Sequence, residues 1–246
     1  MKWKNIMSLR QRLAKKNSPR GKVFTHVPMD FEYDDLEAVT LPEGRTYQTP
    51  DGQKLPSMTT VLSLLSRDSI AAWRKRVGDE EADRISHRAS VRGSAFHDLC
   101  EAYVDNKEDY TEGFGSDIIG YFNNIKPILD ANVDNVRAQE VALYSNYLGV
   151  AGRVDLVAEY QGKLSIIDYK TSMRPKTKDK IHNYFMQESG YAIMWEERYK
   201  QPITQLVTIM HVDDDEPRVF IEHRDNWASQ LLDVIAQYRQ ENGLYG

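Results

Sequence analysis

The stretch AGRVDLVAEYQGKLSIIDYK, residues 151–170, decides the fold of this chain. Strand-forming residues lie on both sides of Gln161-Gly162, which provide the only turn signal between them. In an antiparallel hairpin centred on that pair, Asp155 lies directly opposite Asp168. The sequence therefore predicts two carboxylates on one face of a sheet.

The opposed aspartates are the first functional signal. Facing carboxylates destabilise a sheet unless something offsets their repulsion, and a divalent cation such as Mg²⁺ does so because it prefers carboxylate oxygens. The same register places Arg153 opposite Lys170 on that face, where a lysine can stabilise charge on a phosphate. A second interpretation is a solvated pattern of four balanced charges. Burial by apolar neighbours favours the cation, and these neighbours are Val157, Leu164 and Ile166.

Composition narrows the class of protein. The 246 residues are 41% hydrophobic and 28% charged, which predicts one sizeable core with room for an appended lobe. No apolar run approaches the length of a membrane span, so we expect no membrane partner. The single cysteine, Cys100, excludes an intramolecular disulfide and any all-cysteine zinc or iron–sulfur site. A net charge of −5 argues against a chain-wide role in coating nucleic acid, but local basic patches exist.

Two segments form such patches. Residues 1–22 contain lysines and arginines but no acid, and we interpret them as a solvated, partly disordered arm rather than a DNA-binding arm. A mitochondrial transit peptide fits less well because the segment is lysine-heavy, so we expect a cytoplasmic protein. The second segment follows the hairpin and is either a solvated loop or a site for a phosphate backbone. Its basic residues are Arg174, Lys176, Lys178 and Lys180.

The rest of the chain alternates between helical and strand patterns. Ser57 predicts the N-cap of a helix through Leu65, and an apolar stripe beside His97 predicts a helix that begins near Arg92. Taken alone, that histidine is an ordinary structural residue. Further helices are predicted over residues 117–129, 181–199 and 226–240, and strands over residues 136–144, 203–212 and 218–222. This order predicts an α/β or α+β sandwich around a central mixed sheet.

Five motifs occur in the order found in RecB-type nucleases of the PD-(D/E)XK superfamily, which the chain resembles. They are Arg92 to His97, Glu140, Gly152 to Asp155, Asp168 to Lys170 and Gln187 to Tyr191. The resemblance covers about residues 90–212. In addition, the segment LPSMTTVL, residues 55–62, is similar to the upstream segment of mitochondrial genome maintenance exonucleases and related bacteriophage exonucleases.

The resemblance implies a fold and an activity. The fold is a restriction-endonuclease-like core over residues 91–246, with a central mixed β-sheet flanked by helices, after a basic arm (residues 1–22) and a hairpin and helical segment (residues 23–90). The implied activity is an exonuclease dependent on Mg²⁺ or Mn²⁺, without an iron–sulfur cluster. It would act on DNA with a free end in replication, recombination or repair, with a recombinase or single-strand-binding protein as a further partner. Alternatives are a DNA-end-binding module that needs a helicase or recombinase, and an endonuclease on the same fold.

Roles for individual residues also follow from the resemblance. The implied metal ligands are His97, Asp155, Asp168 and the main-chain carbonyl of Tyr169. The implied catalytic residues are Lys170, Asp155, Asp168 and, as an accessory acid, Glu140. The expected nucleic-acid contacts are Gln187, Tyr191, Arg153, Arg174, Lys176 and Lys178. One departure is that Gly152 to Asp155 replaces the proline-aspartate in the superfamily's name.

Overall fold

A computed structural model describes residues 21–29 and 36–244, so most of the predicted basic arm lies outside the described residues. The first half of the chain forms β1 (Glu37–Leu41), β2 (Gly44–Gln48), β3 (Lys54–Pro56), α1 (Met58–Leu62), α2 (Arg67–Val77) and α3 (Asp79–Val104). The second half forms α4 (Ser116–Asn132), β4 (Val133–Ser145), β5 (Val150–Tyr160), β6 (Lys163–Ser172), α5 (His182–Tyr199), β7 (Gln205–Val212), β8 (Arg218–His223) and α6 (Asp225–Glu241).

The first three strands form a small antiparallel sheet in the order β1-β2-β3. Ser57 caps α1 as predicted, because its side-chain oxygen accepts the N–H of Thr60 at 3.0 Å. The helix ends at Leu62 rather than Leu65, and a 3₁₀ turn over Ser63–Ser66 follows. An isolated parallel bridge between Ser57 and Ala151 joins this segment to β5.

The central sheet has the order β4-β5-β6-β7-β8. All neighbouring strands are antiparallel except β6 and β7, which are parallel and are connected through α5. The predicted mixed sheet flanked by helices is therefore confirmed. Gln161 and Gly162 both have positive φ, at +54° and +78°, as a tight turn between antiparallel strands requires.

Helices cover both faces of the central sheet. One face packs with α1, α5 and α6 around buried residues that include Phe185, Trp195 and Leu231. The other face packs with α3 and α4 around Phe96, Tyr103 and Phe122. Both faces of β5 and β6 are consequently mostly buried, and the candidate site residues lie where the backbone pairing between these two strands ends, next to Leu156 and Ile167.

Helix α3 differs from the prediction because it begins at Asp79 rather than near Arg92 and runs unbroken for 26 residues. Three acids in its first turn favour the helix N-terminus. Gly93 in the interior costs only about 1 kcal/mol relative to alanine, which is too little to end a helix of this length. The helix therefore crosses the predicted domain boundary between residues 90 and 91. Among the described residues, no helix has both the length and the apolar character needed to cross a lipid bilayer.

Candidate active site

The imidazole of His97 connects α3 to β6. Its Nε2 lies 2.8 Å from the carbonyl oxygen of Tyr169. A carbonyl only accepts hydrogen bonds, so Nε2 carries a proton and the other ring nitrogen, Nδ1, determines the chemistry of the site. That Nδ1 lies 3.4 Å from Oδ2 of Asp155.

Asp155 lies one residue beyond the end of the backbone pairing between β5 and β6. The pairing follows the predicted register from Tyr160 and Lys163 to Leu156 and Ile167. At the next position, Oδ2 of Asp155 accepts the main-chain N–H of the residue after Asp168 at 2.8 Å. The Asp155 carboxylate thus accepts the buried N–H of Tyr169 in place of a backbone carbonyl. This hydrogen bond keeps Asp155 close to Asp168, the neighbour of Tyr169 in the chain.

Glu140 completes a cluster of possible metal ligands. It lies on β4 between two residues paired with Leu156 and Val154, which places it beside Asp155. Its φ of +48° is uncommon for a residue other than glycine, and strain of this kind concentrates at functional sites. The ligand atoms of His97, Glu140 and Asp155 all lie within 4.8 Å of one another. One imidazole nitrogen and two carboxylates fit a divalent cation.

Asp168 lies outside that cluster. One of its carboxylate oxygens contacts Nζ of Lys170, and the other is 3.3 Å from Nε2 of Gln187. The same amide nitrogen donates to the hydroxyl of Tyr191 at 3.2 Å, so the two helix residues act together as their spacing predicts. Lys170 also lies over the ring of Tyr184, with Nζ 5.0 Å from the centroid.

Burial and mutual charge set the protonation of the cluster. Burial lowers the pKa of His97, but the Asp155 carboxylate outweighs this effect and raises that pKa to about 9. Burial and the Asp155 charge raise the pKa of Glu140 to about 7. Without a metal, the imidazole of His97 is therefore an imidazolium at neutral pH, with protons on both ring nitrogens.

The aspartates respond in opposite directions. Burial raises the pKa of Asp168 to about 6, against the lowering effect of Lys170. For Asp155, burial acts in the same upward direction, but the neighbouring His97 lowers the pKa below its usual value. Burial lowers the pKa of Lys170, and the adjacent Asp168 overcomes this and raises it, so the lysine remains charged.

The cluster of His97, Glu140 and Asp155 opens into a cleft of about 280 Å³. The walls on the side of the central sheet and its helices include His97, Glu140, Asp155 and Tyr191. The remaining wall comes from the N-terminal segment and consists of Arg45, Tyr47, Ser57 and Thr59. The sequence carries no signal that assigns Arg45 to the site, because nothing local indicates that β2 lies beside β5.

The expected nucleic-acid contacts lie in three environments: Gln187 and Tyr191 line the cleft from α5, Arg153 lines it from β5, and the others follow β6. Arg153 is exposed at the cleft, pairs with Ala142 on β4 and donates to the carbonyl of Glu140. This placement differs from the predicted pairing with Lys170, because the β5–β6 pairing ends before that residue.

Two of the four basic residues in the loop after β6 contact other side chains of the protein. Nζ of Lys176 donates to the hydroxyl of Tyr184 at 2.7 Å. Lys178 forms an ion pair with Glu222. Arg174 and Lys180 are exposed.

The chain is similar to a known protein family and to curated proteins. The family model described as the PD-(D/E)XK nuclease superfamily matches residues 118–242, which include Glu140, Asp155, Asp168 and Lys170 but not His97. Mitochondrial genome maintenance exonuclease 1 of Mus musculus is 31% identical over 130 residues, and that of Homo sapiens is 32% identical over 131 residues.

Each of these matches covers 50% of this chain and 38% of the relative, so the chain matches about two fifths of the length of these curated relatives. Among solved structures, a protein from Eubacterium rectale has a TM-score of 0.40 and 15% identity, covering 64% of this chain and 69% of that protein.

Proposed function

The chain belongs to the PD-(D/E)XK nuclease superfamily, and on this basis we propose that it is a metal-dependent exonuclease that hydrolyses phosphodiester bonds from DNA ends. The observation that carries the proposal is the convergence of His97, Glu140 and Asp155 next to the Asp168–Lys170 pair. A site that had lost hydrolysis would have no reason to retain a ligand cluster, a half-buried lysine and a strained glutamate together.

In this proposal, His97, Glu140 and Asp155 would hold a divalent ion, Mg²⁺ or Mn²⁺. The family resemblance assigns Asp168 and the main-chain carbonyl of Tyr169 to the same ion as further ligands. When bound, the ion supplies Lewis-acid polarisation of a phosphate oxygen and a water molecule of lowered pKa. The donor set is hard and mostly anionic, which suits these ions. The same acids without an ion would repel a phosphate.

Lys170, Gln187 and the basic residues have the other roles in the proposed reaction. The raised pKa of Lys170 keeps its ammonium charged beside Asp168, where it can orient water and stabilise negative charge that develops on phosphorus oxygens. Gln187 holds Asp168 and Tyr191 together and so maintains the base of the cleft. We assign Arg153, Arg174, Lys176 and Lys178 to contacts with the nucleic-acid backbone, because its phosphates bind lysine and arginine side chains.

Action on DNA ends is supported by the curated relatives, which are named as exonucleases. Two alternative functions would use the same site residues. An endonuclease would cut internal bonds, and a DNA-end-binding module would hydrolyse only with a helicase or recombinase partner.

Digestion of matched substrates tests the proposal. Linear single-stranded, linear double-stranded and closed circular DNA are incubated with Mg²⁺ or with EDTA, and with the Asp168→Ala variant as the control. We expect loss of a linear form that depends on Mg²⁺ and no loss of circles. Cleavage of circles would favour the endonuclease, and absence of any cleavage would favour the partner-dependent module.

A further inference from the structure

Arg45 lies on the wall of the cleft that comes from the N-terminal segment. It belongs to β2 of the N-terminal sheet, outside the residues that match the nuclease family, and it lines the same cleft as His97, Glu140 and Asp155. Among the described residues, the cleft is lined by two basic side chains, Arg45 and Arg153. Both are exposed.

The side chain of Arg45 is only partly engaged. Its Nε donates to Oγ1 of Thr40 at 3.1 Å, and its two terminal nitrogens have no hydrogen bond or ion pair to any described residue. By contrast, other arginines of the described chain pair with carboxylates. These include Arg67, Arg74, Arg84, Arg92, Arg218 and Arg224. A guanidinium whose terminal donors point to no internal acid is available to an external anion.

The backbone of Arg45 is held firmly relative to the catalytic strand. Its carbonyl accepts the N–H of Ser57 at 2.8 Å, and its N–H donates to Oγ1 of Thr60 at 2.9 Å. Ser57 in turn bridges Ala151 of β5, which lies four residues before Asp155. A short path of hydrogen bonds therefore ties the arginine to the strand that carries the metal ligand.

Gly44 allows this close approach. Its φ is +139°, and a Cβ at this position would lie 2.4 Å from Cγ2 of Thr60. A larger residue would push β2 away from α1 and move the neighbouring arginine. The contact that fixes Arg45 thus depends on a glycine beside it.

We propose that Arg45 is a phosphate-binding residue of the site, which holds a non-scissile phosphate of the nucleic-acid strand at the wall of the cleft that comes from the N-terminal segment. The proposal rests on the nuclease function proposed above. A planar guanidinium can donate two parallel hydrogen bonds to a phosphate, and one such contact adds affinity without reading sequence. The N-terminal sheet is in this view part of the substrate site.

Steady-state cleavage of a fluorescent oligonucleotide, measured over a range of salt concentrations, tests this role. We expect Arg45→Ala to raise KM about tenfold and to leave kcat within about twofold of wild type. A lost contact to a non-scissile phosphate weakens the binding of substrate and transition state equally. The dependence of log KM on log salt should become shallower by roughly 0.7 to 0.9, the value for one phosphate contact. Arg45→Lys should recover part of the affinity.

Lys54→Ala is the matched control, since Lys54 is an exposed cation of the same small sheet that does not line this cleft. Its KM and salt dependence should equal those of wild type. If Arg45→Ala is poorly folded by circular dichroism, Arg45→Gln replaces it, because glutamine can still donate to Thr40. Active wild type with an unchanged KM and salt dependence in the Arg45 variants would overturn this inference alone. Inactive wild type on every substrate would overturn the proposed function and this inference with it.

Discussion

Nδ1 of His97 lies 3.4 Å from Oδ2 of Asp155, and this contact joins α3 to β5 inside the cleft. The same carboxylate accepts the N–H of Tyr169, whose carbonyl accepts from the other nitrogen of the imidazole. One histidine and one aspartate thus hold three elements together. The site has its geometry through these internal contacts, and preorganisation of this kind is what metal binding and catalysis require.

Loss of any one cluster residue should weaken metal binding. We expect His97→Ala, Glu140→Gln and Asp155→Asn each to lower the affinity for Mn²⁺ by about tenfold or more, as measured by isothermal titration calorimetry. Asp98→Asn is the matched control, because Asp98 is an exposed acid that lines the cleft but lies outside the cluster. Equal affinity in the control and in all three variants would contradict the assigned ligands.

Metal affinity should rise with pH. The pKa of His97 is raised to about 9 and that of Glu140 to about 7, so the metal-free protein holds protons on both groups below pH 7 and on His97 between pH 7 and 9. A cation must displace these protons, which makes binding weaker at lower pH. Calorimetry of Mn²⁺ in two buffers of different ionisation enthalpy measures the release. A pH-independent affinity between pH 6 and 8 would be inconsistent with these ligands.

The pH dependence of the metal-free protein has the opposite sign. Because the folded pKa of His97 lies above its usual 6.5, the imidazolium and Asp155 stabilise the fold fully below pH 6.5. This contribution is lost as the pH rises through about 9. Chemical denaturation with EDTA present should therefore show the free energy of unfolding falling over that range by less in His97→Ala than in wild type.

Removal of the half-buried Lys170 should stop cleavage. Lys170→Met takes away the cation beside Asp168, and we expect cleavage to fall by about 10² to 10³-fold or more, as for loss of a key electrostatic group. Lys163→Met is the control, because Lys163 is an exposed lysine on the same strand. Cleavage rates are compared at saturating metal and substrate. Near wild-type turnover in Lys170→Met would refute the role of this lysine.

Gly152 should tolerate no side chain. A Cβ there would lie 2.7 Å from Cε1 of Tyr191, a buried ring that cannot easily move. We expect Gly152→Ala to destabilise the fold by about 1–3 kcal/mol and to reduce cleavage, because the Tyr191 hydroxyl shifts relative to Gln187. Gly120→Ala is a matched control on α4, where a Cβ meets open space. Thermal unfolding of both variants distinguishes the two positions.

The hairpin at the site could be predicted from the sequence because its information is local. The turn pair Gln161-Gly162 and the flanking strand residues define the register, and the structure has that register as far as Leu156 and Ile167. The departure of the two strands at the aspartates could not be predicted. It depends on the Asp155 carboxylate accepting a main-chain N–H, which a strand pattern does not encode.

Two other features required the folded chain. Helix α3 begins at Asp79 and continues through Gly93, which is too weak a signal to end it. The apolar periodicity of the sequence indicated only the C-terminal half, where most of the buried residues of the helix lie. The placement of Arg45 depends on the bridge between Ser57 and Ala151, a contact between distant parts of the chain. Long-range contacts of this kind leave no local pattern in the sequence.

Anomalous diffraction from a crystal of the protein grown with Mn²⁺ tests the central claim most directly, because it locates the ion rather than its effects. We predict an anomalous peak in contact with His97, Glu140 and Asp155, and its loss in crystals of the Asp155→Asn variant. A fully occupied peak elsewhere, with none among these three side chains, would contradict the account.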